Sequence, residues 1–126
     1  MEHLIVKTAL RTLEIESDTL IALRGAIDAD FVKIASLIFQ SKGRVIVSGI
    51  GKSAIVAQKI VATLNSTGTP SVFMHAADAI HGDLGMVRSE DIVICISKSG
   101  DTPEIKVLAP LVKNLGCRLF GMVGNK

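Results

Sequence analysis

Tryptophan and tyrosine are absent from the 126-residue chain, and phenylalanine occurs only four times. A core must therefore be built from aliphatic side chains, and no aromatic platform exists on which nucleobases would stack. The net charge of +2 is small and no basic run concentrates it, so nothing steers the chain to nucleic acid. No stretch approaches the ~18 consecutive apolar residues of a membrane-crossing helix. Glu2 stands near the start and no cleavable apolar segment follows it, which argues against a secretory signal. The two cysteines, Cys95 and Cys117, fall in separate predicted strands. They read as buried thiols of a reducing compartment rather than a disulfide framework or a metal cluster. The expectation is a cytoplasmic protein with neither nucleic acid nor membrane as partner.

Apolar residues make up 48% of the chain and charged ones 21%, a foldable composition at a length that suits one domain. Leu10, Leu13, Leu20 and Leu23 recur at helical spacing, with Arg11, Glu14, Glu16 and Asp18 between them. This predicts an amphipathic helix over 3–24, broken at Gly25. It serves either a partner or dimer contact or packing on its own domain. Asp28 or Asp30 caps a second helix with Phe31, Ile34, Ala35, Leu37 and Ile38 on its apolar face, stopped by Gly43. From residue 44 the pattern alternates: strands at 44–48, 70–74, 92–96 and 117–123, with helices or short turns between. Such βαβ alternation makes a parallel sheet flanked by helices. Residues 1–43 thus form a helical N-terminal segment and 44–126 a parallel α/β core, together a single domain.

The stretch Ser97-Lys98-Ser99-Gly100-Asp101-Thr102-Pro103-Glu104 lies where the third strand hands over to a helix. Pro103 suits the first helical position, and Thr102 before it is a candidate N-cap. Serine hydroxyls, free amides and the positive dipole end favour an anion there, most simply a phosphate. The plain alternative is a polar turn with a good cap. A second loop, Gly49-Ile50-Gly51-Lys52-Ser53, follows the first strand. It is no Walker A loop, because Ile46 stands where glycine is needed. It is a poor dinucleotide fingerprint, because Met74 and His75 stand where an acid would hold the ribose. Gly49 and Gly51 still let backbone approach a ligand, with Lys52 and Ser53 facing it and Ser48 closing the strand as a further candidate. His75 and His81 with Asp78 and Asp83 form a third cluster. Zinc or another divalent metal is conceivable there, with His75 as a ligand.

The strings GIGKS, LNSTGTPS, HAADAIHGDLGMV and SKSGDTPE, in that order, resemble the SIS (sugar isomerase) domain of bacterial arabinose 5-phosphate isomerases. The resemblance implies a three-layer αβα fold and a five-stranded parallel sheet. Four strands are visible and the fifth is missing, so the chain reads as the N-terminal portion of a longer protein. It implies interconversion of D-ribulose 5-phosphate and D-arabinose 5-phosphate for Kdo, lipopolysaccharide or capsule synthesis, by a homotetramer or dimer. The family's phosphate-binding positions fall on Ser97, Ser99 and Thr102, and its catalytic positions on Lys52, His81 and Glu104. Gly68, Thr69 and His75 match positions lining the sugar site, and His75 one that can take a metal. Ala76 stands where proline is frequent, and Asp78 where glutamate is.

An aldose–ketose isomerase moves one proton between C1 and C2 and another between the oxygens, through an enediol. It needs a base, a donor for the carbonyl oxygen and a grip on the distant phosphate. No redox cofactor is required. Two other readings share the phosphate grip: another SIS isomerase, such as a hexulose phosphate isomerase, and a non-catalytic module that senses a sugar phosphate.

Overall fold

The computed structural model describes residues 1–125, which form two compact units, residues 1–36 and residues from Leu37 onward. In the first, helix α1 (Glu2–Leu23) ends in a short 3-10 turn, Arg24–Ala26, at the predicted break. Helix α2 (Ala29–Gln40) begins in this unit and ends in the next, and of the two candidate caps Asp28 is the one used. Its Oδ1 accepts the Phe31 N–H at 3.1 Å, satisfying one of the four unpaired amides of a helix start.

The second unit carries β1 (Val45–Gly49), α3 (Lys52–Ser66), β2 (Ser71–His75), α4 (Ala76–Ala79), β3 (Ile92–Ser97), α5 (Pro103–Asn114) and β4 (Arg118–Val123). The four strands are parallel, in the order β2-β1-β3-β4. From β1 the chain steps outward to β2, then returns to the other side of β1 for β3 and β4. Right-handed crossovers in opposite directions put the connecting helices on opposite faces. Against one face, α3 packs Ala57, Ile60 and Val61 on Val45 and Val47. Against the other, Leu108 and Val112 of α5 pack on Ile46, Val93 and Cys95. Alternate residues of each strand serve the two layers, and this is why β1 and β3 are nearly continuous aliphatic runs. Desolvation in that second layer pushes the Cys95 thiol up to about 11.

The amino-terminal end of the sheet is closed by one ion pair. Asp91, 2% exposed, takes the Arg44 guanidinium at 2.7 Å and the backbone N–H groups of Arg44 and Arg88 at 2.8 and 2.9 Å. The same guanidinium donates to the Met86 carbonyl at 2.7 Å. This latch holds the start of β1 to the turn that precedes β3. Cys117, just before β4, donates its Sγ–H to the Arg88 carbonyl at 3.0 Å. Burial, with the nearby Asp91 and Glu90 charges, raises its pKa too.

Candidate functional site

Strand order decides where a ligand can sit. The chain reverses direction between β1 and β3, so the loops leaving those two strands diverge. In an open parallel sheet the crevice outside such a switch point is the binding site. A cavity of about 440 Å³ opens there. Ile50 lines it from the loop after β1 and Ser53 from the first turn of α3, and Lys98, Ser99 and Thr102 line it from the loop after β3. Gly124 and Asn125, just past β4, complete the wall.

The loop after β3 is shaped by its own hydroxyls. Ser97 is only 3% exposed. Its Oγ lies 2.6 Å from Thr102 Oγ1 and accepts the Gly100 N–H at 3.1 Å. Ser99 Oγ accepts the Asp101 N–H at 3.1 Å. Thr102 occupies the N-cap position of α5, with Pro103 behind it, but its side chain makes no capping bond. The hydroxyl is instead turned to Ser97. Proline at the first helical position has no N–H to offer, and the amides of the next residues are left to an incoming anion. Ser97 therefore acts by folding the loop, while Ser99 and Thr102 reach the cavity.

The loop after β1 places Ser53 in the cavity wall and leaves Lys52 exposed at the first position of α3. Gly51 caps α3 at φ 58, a backbone region that side chains other than glycine rarely adopt. Gly49 serves close packing instead, since a Cβ there would lie 3.1 Å from the Ser53 carbonyl group. Ser48 is fully buried, beside Met74 and Cys95 in register. Its Oγ has no hydrogen-bond partner among the described residues.

Glu104 is half-buried in the first turn of α5, two residues after Thr102. His75 ends β2 at the same end of the sheet, opposite Gly49. Its Nδ1 accepts the Ala77 N–H at 3.3 Å, capping α4, and lies 4.0 Å from Asp78 Oδ2. Its remaining nitrogen has no partner set: no three His, Cys, Asp or Glu groups gather to hold an ion among the described residues. On their own these residues do not fit the three or four ligands of a zinc site. His81 is exposed between α4 and the 3-10 turn Asp83–Met86.

Gly68 and Thr69 lie away from this cavity. They precede β2, and the neighbouring Pro70 carbonyl accepts from Val45 N at the start of β1. That is the amino-terminal end of the sheet. Five residues of strand, ~3.3 Å each, separate it from the cavity end, so this unit does not bring Gly68 and Thr69 to the site. Lys98 lines the cavity, a residue that the sequence reasoning did not single out. The signal available was a cation inside an anion-binding loop.

A parallel sheet with a hydroxyl-lined crevice at its switch point defines an α/β site open to an anion, and the comparisons give it a family. Residues 37–126 match the SIS domain, and the chain belongs to the SIS domain family. Among its relatives is the arabinose 5-phosphate isomerase KdsD of Pseudomonas aeruginosa, 50% identical over 120 residues, covering 95% of this chain and 37% of that protein. Another is the arabinose 5-phosphate isomerase KpsF of Escherichia coli, 45% identical over 122 residues, covering 96% of this chain and 37% of that protein. Among solved structures, an E. coli protein in complex with arabinose 5-phosphate superposes with a TM-score of 0.77 at 40% identity. That match covers 92% of this chain and 64% of the other. The chain thus spans little more than a third of the length of the curated relatives it matches. No helix among the described residues is long and apolar enough to cross a membrane.

Proposed function

We propose that the chain is the sugar-phosphate-binding part of a cytoplasmic arabinose 5-phosphate isomerase, which interconverts D-ribulose 5-phosphate and D-arabinose 5-phosphate for Kdo, lipopolysaccharide or capsule synthesis. The observation that carries this is the crevice between β1 and β3, walled by Ser53, Ser99 and Thr102 under an uncapped start of α5. Relatives named for that activity support the choice of substrate.

In this reading the Ser99 and Thr102 hydroxyls and the first amides of α5 hold the phosphate. Its binding energy fixes the reacting carbons of the sugar. Glu104, in the same helical turn, is the carboxylate that moves the proton between C1 and C2. Lys52, at the start of α3, and His81, in the connection that leaves β2, supply donors for the carbonyl oxygen. Proton transfers of this kind need no redox cofactor. The active protein is a homo-oligomer, for which the exposed leucines Leu10, Leu13 and Leu20 of α1 offer an apolar surface. Light scattering on the full-length protein tests the oligomer, and a monomer would refute it.

Calorimetric titration with arabinose 5-phosphate and with free arabinose tests the site. Arabinose 5-phosphate should bind far more tightly, and Ser99→Ala should weaken it by roughly tenfold, as expected for one hydrogen bond to a charged group. Equal affinity for both ligands, or an unaffected Ser99→Ala variant, would sink the assignment.

A further inference from the structure

We propose that Lys98 is a specificity-determining residue of this crevice, the cation that reads the charge on the bound phosphate. The inference rests on the sugar-phosphate reading of the cavity and assigns a role to a side chain that reading leaves unused. Lys98 lines the cavity and is the only ionisable side chain among the described lining residues. It enters no salt bridge among the described residues, whereas Lys106 nearby is tied to Asp101. Its charge is therefore uncommitted, at the place where an anion would arrive.

The backbone beneath it is fixed on both sides. The Lys98 carbonyl accepts the Gly124 N–H at 3.1 Å. This approach depends on glycine, since a Cβ on Gly124 would lie 2.6 Å from that oxygen. Before it, Ser97 is pinned to Thr102 and Gly100 by the bonds described above. Only the lysine side chain has to be ordered when ligand binds, which reduces the entropic cost of using it.

Hydroxyls and helix amides accept a monoanion or a dianion of the right shape. A compact ammonium adds a point charge whose attraction grows with the charge of its partner. Phosphate esters pass from monoanion to dianion near pH 6. Lys98 therefore biases the site toward the dianion, and so toward phosphorylated sugars over neutral ones.

The test measures the affinity of the full-length protein for arabinose 5-phosphate, inorganic phosphate and free arabinose, as wild type, Lys98→Met and Lys98→Arg. Lys98 is exposed, so both variants should fold. At pH 8 and low salt, Lys98→Met should weaken both phosphates roughly 10- to 100-fold, the range for a lost charge-assisted hydrogen bond. Lys98→Arg should lose much less, and arabinose should be indifferent to all changes. The Lys98→Met deficit should shrink below about pH 6 and as salt is raised. A merely structural lysine would give losses alike at every pH and salt, and alike for Met and Arg; that result overturns the inference. So does unchanged affinity in Lys98→Met while Ser99→Ala binds weakly, which leaves the site itself standing. A wild-type protein that binds arabinose 5-phosphate no better than arabinose overturns the site and Lys98 together.

Discussion

Replacing Glu104 with glutamine is expected to lower kcat roughly 100- to 10,000-fold in the full-length protein, with little change in KM or melting temperature. Two carboxylates flank the start of α5. Asp101 is paired with Lys106, whereas Glu104 has no salt bridge among the described residues and is half-buried two residues after Thr102. A carboxylate in a first turn also stabilises the helix dipole, by ~0.3–1 kcal/mol. If that were its whole role, the glutamine variant would melt slightly earlier and turn over normally per folded molecule. The two roles differ by orders of magnitude in kcat, so one steady-state measurement separates them. A folded glutamine variant that keeps more than a tenth of wild-type kcat would move the base to His81 or to residues elsewhere in the full-length protein. Substrate binding should survive the change, because the phosphate grip lies on Ser99, Thr102 and the helix amides.

The second large effect is one of stability. Arg44→Met should cost ~1.5–3 kcal/mol, the range for a hydrogen bond to a charged group. That is less than the ~3–5 kcal/mol of a fully buried pair, because the Arg44 side chain is 30% exposed and Asp91 keeps two backbone donors. Burial alone would push the Asp91 carboxyl up. The Arg44 guanidinium and the two backbone N–H groups outweigh that and hold it below its usual value. The guanidinium is in turn raised by its bond to Asp91. With a depressed pKa in the folded state, the contribution of Asp91 is present above the unfolded value of about 3.9. It is lost as pH falls through the lower, folded value. Denaturant melts from neutral pH down to the region below pH 4 should show this loss, and Arg44→Met should flatten it. Replacing both partners by apolar residues often restores stability, but here it should restore only part. The backbone N–H groups of Arg44 and Arg88 would lose their acceptor, at ~1–3 kcal/mol for each one left buried. A loss under ~1 kcal/mol in Arg44→Met would show that the latch is ornamental.

Much of the core was legible because strand and helix leave different periodicities. The aliphatic runs at 44–48 and 92–96 announce a doubly covered parallel sheet, and the strands observed differ from the expected spans by a residue or so at their ends. Strand order was not legible. Nothing in a run of isoleucine and valine says which neighbour it will pair with, yet the order β2-β1-β3-β4 is what creates the crevice. The place of Gly68 and Thr69 was not legible either: a motif match gives a position in the chain, and strand polarity decides which end of the sheet it reaches. Thr102 was placed correctly as the N-cap residue, but its hydroxyl bonds to Ser97 rather than to an amide. Asp91 was invisible, since a second acid in the run Ser89-Glu90-Asp91 reads as a solvated turn until Arg44 is brought over it.

Cys95 sits two residues upstream of Ser97 on the strand that carries the anion loop, and its elevated pKa keeps it a neutral thiol at physiological pH. Alkylating reagents attack the thiolate, so they reach this sulfur only during excursions that open β3. Cys117 lies at the opposite end of the sheet, under the Arg88 carbonyl. The molecule therefore contains two clocks, one at each end. A single mass spectrum taken during slow alkylation times both. Cys117, beside the edge strand β4, keeps the time of local opening. Cys95, in the central strand β3, keeps that of opening close to global unfolding, which an occupant of the crevice should slow.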